Sequence, residues 1–126
     1  MKTHKPINLN IFTIKFIKTA IASILHRISG IITFLIFSVF IYCLELSLCS
    51  QEKFNTLQNF FYENVLFKFF LWAILTIFTY HTVFGLRHIL IDFNFFKEDL
   101  KTAKMTVNIA LLVTATISII LGFFLW

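Results

Sequence analysis

The chain has 126 residues, 59% hydrophobic and only 13% charged, with a mean hydropathy of +0.87 and a formal net charge of +5. A soluble domain of this length cannot hide that much apolar surface, so the composition predicts an integral membrane protein of about three spans of ~20 residues, without a separate soluble domain. The positive charge does not indicate nucleic acid, because the Lys and Arg residues sit between hydrophobic segments and read as orientation signals.

Residues 1–18 are polar and basic, with Lys2, Lys5, Lys15 and Lys18. Pro6 disfavours helix at Lys5, so an extended or interfacial arm is expected. No cleavable signal peptide is expected, since Lys15, Lys18 and Arg27 interrupt what would be its apolar core. The first span is predicted over about 19–49, with a continuous lipid-facing core from Ile31 to Leu44. Before that core, His26 and Arg27 lie among apolar residues, which places them inside the helix at headgroup depth. Ser23 and Arg27 are four residues apart and share one face; His26 and Gly30 share a neighbouring face. Glu45 is expected to snorkel to the far interface. Cys43 and Cys49 point about 120° apart on a helix and read as free thiols.

A polar connection is predicted from Ser50 to about Phe60, then an interfacial turn of helix to Phe67. The second span runs over about 69–91, closed by Lys68 and Arg87, with Trp72 near an interface where indole is favoured. A charged connection follows to Met105, through Lys97, Glu98, Asp99, Lys101 and Lys104. The third span covers 106–126, lacks ionisable side chains, contains Gly122 and ends on Trp126. By the positive-inside rule the N-terminus and the second connection are cytoplasmic and the C-terminus is outside.

The second span carries the most informative stripe. At about 100° per residue, His81, Gly85, His88 and Asp92 fall within roughly 60° of one another. An ionisable group at membrane depth is expensive and points to function. His81 lies about 9 Å along the helix from Arg87, inside the inner half of the bilayer. With the topology above, His26, Arg27, His81, Arg87, His88 and Asp92 gather at one membrane face from two distant segments.

The chemistry open to these groups is limited. His81 reads either as a ligand to haem iron or as a histidine hydrogen-bonded to a neighbouring helix. Gly85 would clear a side chain from the path of a macrocycle. His88 cannot be the opposite ligand of the same iron, since one face of one straight helix cannot reach both sides of a haem. His26 is placed too near the interface, which leaves a partner chain as the expected source of a second ligand. His88 and Asp92 form an i,i+4 pair suited to haem propionates, to proton passage or to a simple helix-end hydrogen bond. Ser23 and Arg27 offer a hydroxyl and a guanidinium to a carbonyl oxygen that becomes anionic on reduction, as in a quinone, or to a lipid phosphate. No Gly-rich nucleotide loop or Cys quartet offers a flavin or iron–sulfur site.

The segment Ser23-Ile24-Leu25-His26-Arg27-Ile28-Ser29-Gly30 is similar to the S-x-x-H-R-x-[ST]-G signature of succinate dehydrogenase cytochrome b subunits. The segment from His81 to Asp92 resembles the second signature of that family, H-x-x-x-G-[IL]-R-H-[LM]-x-x-D, and Pro6-Ile7-Asn8-Leu9 resembles the bacterial form of its N-terminal arm. The resemblance implies an all-α, three-span membrane protein forming half of a two-chain anchor bundle in a bacterial cytoplasmic (inner) membrane. It implies a flavoprotein, an iron–sulfur protein and a second small anchor as partners. It implies haem b bound through His81, with the other ligand from the second anchor, and ubiquinone bound near Ser23 and Arg27. His26 and His88 match positions near the haem propionates; Arg87 and Asp92 are signature positions with looser roles. Such a chain would have no succinate activity alone. A menaquinol-linked fumarate reductase anchor and a cofactor-free membrane adaptor are the alternatives. The heavy use of Phe and Ile and the Lys-rich arm depart from the family in packing more than in chemistry.

Overall fold

The computed structural model describes residues 17–97 and 99–126; the expected arm, including the Pro6–Leu9 segment, lies outside the described residues except for its last two positions. Four helices follow in order: α1 (Ile17–Cys49), α2 (Gln51–Glu63), α3 (Val65–Asp92) and α4 (Leu100–Leu125). The three long ones, α1, α3 and α4, have the length and composition to cross a membrane. Among the described residues there is no strand.

The ends of these helices show why the connections differ from those expected. The stretch read as a polar connection is mostly helix α2. Ser50 caps it by accepting from the Lys53 N–H at 3.2 Å, and Glu52 lies in its first turn, where an acidic residue suits the helix dipole. The interfacial turn expected up to Phe67 is broken at Asn64. That residue closes α2 through its own N–H to Phe60 O and opens α3 by accepting from the Phe67 N–H at 3.2 Å. The second connection is also shorter than expected. Asn94, at φ 59°, takes the left-handed conformation that Asn tolerates. The Phe95 N–H then bonds Leu90 O and the Asn94 N–H bonds Ile91 O, at 3.1 and 2.8 Å, the pair of bonds that ends a helix in a Schellman motif. Asp99 caps α4 by accepting from the Thr102 N–H at 3.1 Å, so the helix starts six residues before Thr106. The Thr102 hydroxyl and N–H both favour the ionised carboxylate and hold the Asp99 carboxyl below its ordinary pKa.

α3 and α4 pack along a stripe of small residues. Thr106, Ala110, Thr114 and Ser118 recur every fourth position and are all buried, and Gly122 continues the series. Small side chains let the two backbones approach, so that polar atoms cross the seam. Trp72 Nε1 donates to Ser118 O at 2.8 Å, and the Thr76 and Ser118 hydroxyls meet at 2.7 Å. Trp72 therefore lies against α4, beside Gly122. At the other end of the seam, Arg87 Nε donates to Thr106 Oγ1 at 3.1 Å and its Nη2 to Ala103 O at 3.3 Å. α1 joins through α3. Ala22, Phe84, Val107 and Ala110 make a small core shared by all three long helices, with Tyr80 and Val83 against it. Phe84 is fully buried and stacks on Tyr80 at 4.2 Å, and the Tyr80 hydroxyl donates to Ala22 O at 3.0 Å.

Candidate functional site

The α1–α3 seam continues from this core into a cluster of three imidazoles. His26 of α1 stacks on His81 of α3, with ring centroids 4.5 Å apart and an interplanar angle of 5°. His26 also meets His88, at 5.1 Å and 54°. One turn of α1 and two turns of α3 thus meet at one level, and the shared level follows from the antiparallel packing of the two helices.

Two glycines permit the approach. A Cβ at Gly30 would lie 2.9 Å from His81 Cε1, closer than side chains tolerate, whereas a Cβ at Gly85 would meet His26 Nε2 at an ordinary 3.5 Å. Each helix therefore carries a histidine and, four residues on, the glycine against which the other helix lays its histidine. The clearance that His81 needs is supplied by Gly30 on the opposite helix. Gly85, expected to clear a side chain from the path of a macrocycle, faces His26, because antiparallel packing sets each glycine against the ring of the neighbouring helix.

Ser29 completes the seat of His81. It is 5% exposed, its hydroxyl donates to His26 O at 2.7 Å, and the same oxygen lies 3.1 Å from His81 Nδ1. His26 O is 3.3 Å from that nitrogen as well. His26 Nε2 is buried and has no hydrogen-bond partner among the described residues.

The other expected site residues are placed differently. Ser23 is half-buried and Arg27 is exposed on the same end of α1, and no hydrogen bond joins them among the described residues. Arg87 is committed to the N-terminal turns of α4 through the two bonds described above. Asp92 is exposed at the end of α3, and no hydrogen bond ties it to His88, whose ring turns toward His26 instead. Ser29, Gly30, Tyr80 and Thr106 had been given no role from the sequence. Only Ser29 and Gly30 carried a signal there, as fixed letters of the first signature.

Three membrane-length helices with imidazoles gathered between two of them define a membrane subunit organised around a histidine cluster. The chain belongs to the succinate dehydrogenase/fumarate reductase transmembrane subunit family, whose pattern matches residues 1–121. It is 29% identical over 126 residues, the full length of both chains, to the succinate dehydrogenase cytochrome b556 subunit of Coxiella burnetii (strain RSA 493 / Nine Mile phase I).

Proposed function

We propose that this chain is the larger membrane anchor of a succinate:quinone oxidoreductase, holding one side of a haem b through His81 and contributing Ser23 and Arg27 to a ubiquinone pocket. One observation carries the reading. His81 stands at the seam of two spans with Nδ1 engaged by the protein and Nε2 left over, the arrangement found in metal-ligating histidines. His26 Nε2, buried and without a hydrogen-bond partner among the described residues, leaves a polar atom at the same seam that a haem propionate would satisfy. The relative from Coxiella burnetii is named a cytochrome b556. When bound, the haem supplies a one-electron redox centre inside the bilayer.

A second ligand would come from a second chain. The His26 and His81 rings stack in parallel planes with centroids 4.5 Å apart, which leaves no room for an iron between them, so His26 would not be the counterpart of His81. A second anchor is thus part of the reading, together with the flavoprotein and iron–sulfur subunits that take electrons from succinate. This chain carries no succinate activity alone. Ubiquinone gains two electrons and two protons to become the quinol. The exposed Arg27 guanidinium and the Ser23 hydroxyl donate hydrogen bonds to the carbonyl oxygen on which negative charge builds. The same parts run in reverse in a menaquinol-linked fumarate reductase, and the preferred quinone and direction of the purified complex separate the two.

The test is a pair of substitutions in the assembled complex. His81→Leu should abolish the b-type band in a reduced-minus-oxidised spectrum; an unchanged band defeats the ligand assignment. Arg27→Leu should lower succinate:quinone activity by about 100-fold while succinate oxidation by an artificial acceptor persists. Equal loss of both activities counts against a local role at the quinone.

A further inference from the structure

We infer that Ser29 is the positioning residue that fixes the tautomer and rotation of the His81 imidazole, so that Nε2 is the nitrogen presented to the iron. The inference rests on His81 being the haem ligand and adds what makes it one.

Counting donors and acceptors gives the tautomer. His26 O, a carbonyl, can only accept. It receives the Ser29 hydroxyl proton at 2.7 Å and also faces His81 Nδ1 at 3.3 Å. The Ser29 hydroxyl has one proton, and it is spent on that carbonyl, so toward His81 the Ser29 oxygen offers only lone pairs. Both atoms facing Nδ1, Ser29 Oγ at 3.1 Å and His26 O at 3.3 Å, are therefore acceptors. Nδ1 carries the proton and shares it between them. In the neutral ring this leaves the lone pair on Nε2, and a ligating imidazole must be neutral.

The same contacts fix the ring's rotation. Ser29 is buried, so water does not replace it. Gly30, the next residue, leaves no Cβ to push the ring off its seat. A hydrogen bond from Nδ1–H to an oxygen raises the electron-donating power of the opposite nitrogen, as in other histidine ligands held by a second partner. A stronger donor favours the ferric state of a haem iron. Removing the Ser29 oxygen leaves Nδ1–H only the longer of its two partners.

The experiment uses the purified, haem-loaded complex carrying Ser29→Ala or Ser29→Thr, with His81→Leu as reference. The haem midpoint potential is read by spectroelectrochemical titration, alongside the ferric low-spin EPR signal. Ser29→Ala should keep a two-histidine haem but raise its midpoint potential, lowering the ferric-to-ferrous ratio at fixed ambient potential by about five- to tenfold. Ser29→Thr, which retains the hydroxyl, should stay near the wild type. If Ser29→Ala loses haem while Ser29→Thr holds it, the hydroxyl is again shown to be required. An unchanged midpoint in haem-loaded Ser29→Ala overturns the inference. Equal shifts or equal haem loss in both variants also overturn it, since volume and not the hydroxyl would then be at work. A haem band that survives His81→Leu marks failure of the ligand assignment itself, which neither Ser29 variant can imitate.

Discussion

At the scale of single residues, the two glycines of the histidine seam look alike in sequence and differ in space. Each follows its own histidine by four positions, yet only at Gly30 would an added Cβ fall within 2.9 Å of a ring atom of the other helix. A methyl group there meets an imidazole whose other nitrogen is already tied down, so the ring cannot swing away without losing its contacts to Ser29 and His26 O. At Gly85 the added methyl meets only ordinary contact, and the helix gains up to about 1 kcal/mol from replacing glycine by alanine. Gly30→Ala should therefore strip haem from most of the purified complex, whereas Gly85→Ala should retain it with equal or higher thermal stability in detergent. Haem-to-protein ratios of the two variants, purified side by side, check the contrast. Equal ratios would show that the seam opens more easily than its spacing implies.

At the scale of helices, what was legible in the sequence and what was not follow from range. The long apolar runs gave three spans, since hydropathy is summed over ~20 residues and survives local error. Helix α2 was missed because its polar composition resembles a loop; its Ser50 cap and the double use of Asn64 are local geometries that composition does not reveal. The early start of α4 was hidden because Lys101 and Lys104 read as connection, although they occupy its first turns beyond the Asp99 cap. The candidate residues stand out in the sequence as polar groups spaced on helix faces at membrane depth, and both signatures contain them, but which of them touch depends on register between helices, which one sequence does not carry. Arg87 is the clearest case. It was grouped with the polar cluster, yet it clips α3 to the start of α4 through Thr106 and Ala103. Losing a partly buried, charge-assisted pair of bonds should cost about 2 kcal/mol in Arg87→Leu. Thr106→Val removes one acceptor without touching the charge and should cost less. Denaturation of the purified complex, followed through tryptophan fluorescence, checks the order. The reverse ranking would mean that the guanidinium is not what fastens this end of the seam.

At the scale of the whole molecule, the three long helices bury little against one another. The apolar window of α1 is nowhere buried, and Phe34 and Leu48 remain 73% and 78% exposed. Lipid or another chain's helices must cover that face, which accords with an anchor that is one half of a larger bundle. The alternation of spans then puts the histidine cluster at the same end of the bundle as the basic residues. α1 runs from Lys18 and Arg27 to Cys49, α3 returns to Arg87, and α4 leaves again from Lys101 and Lys104. Only Lys53 and Lys68 carry positive charge at the Cys49 end among the described residues, so the positive-inside rule predicts that the basic end faces the cytoplasm. Cys49 is exposed and unpaired, which makes it a native reporter. A membrane-impermeant maleimide should label Cys49 from the outside of intact spheroplasts. In a Cys43→Ser, Cys49→Ser background, Lys101→Cys should be labelled only in inverted vesicles. The opposite pattern would put the imidazoles in the outer half of the bilayer, away from the cytoplasmic subunits that the proposed anchor role requires. Electrons leaving an iron–sulfur protein at the inner surface would then face most of a membrane thickness before reaching His81, and the anchor reading would fail on distance alone.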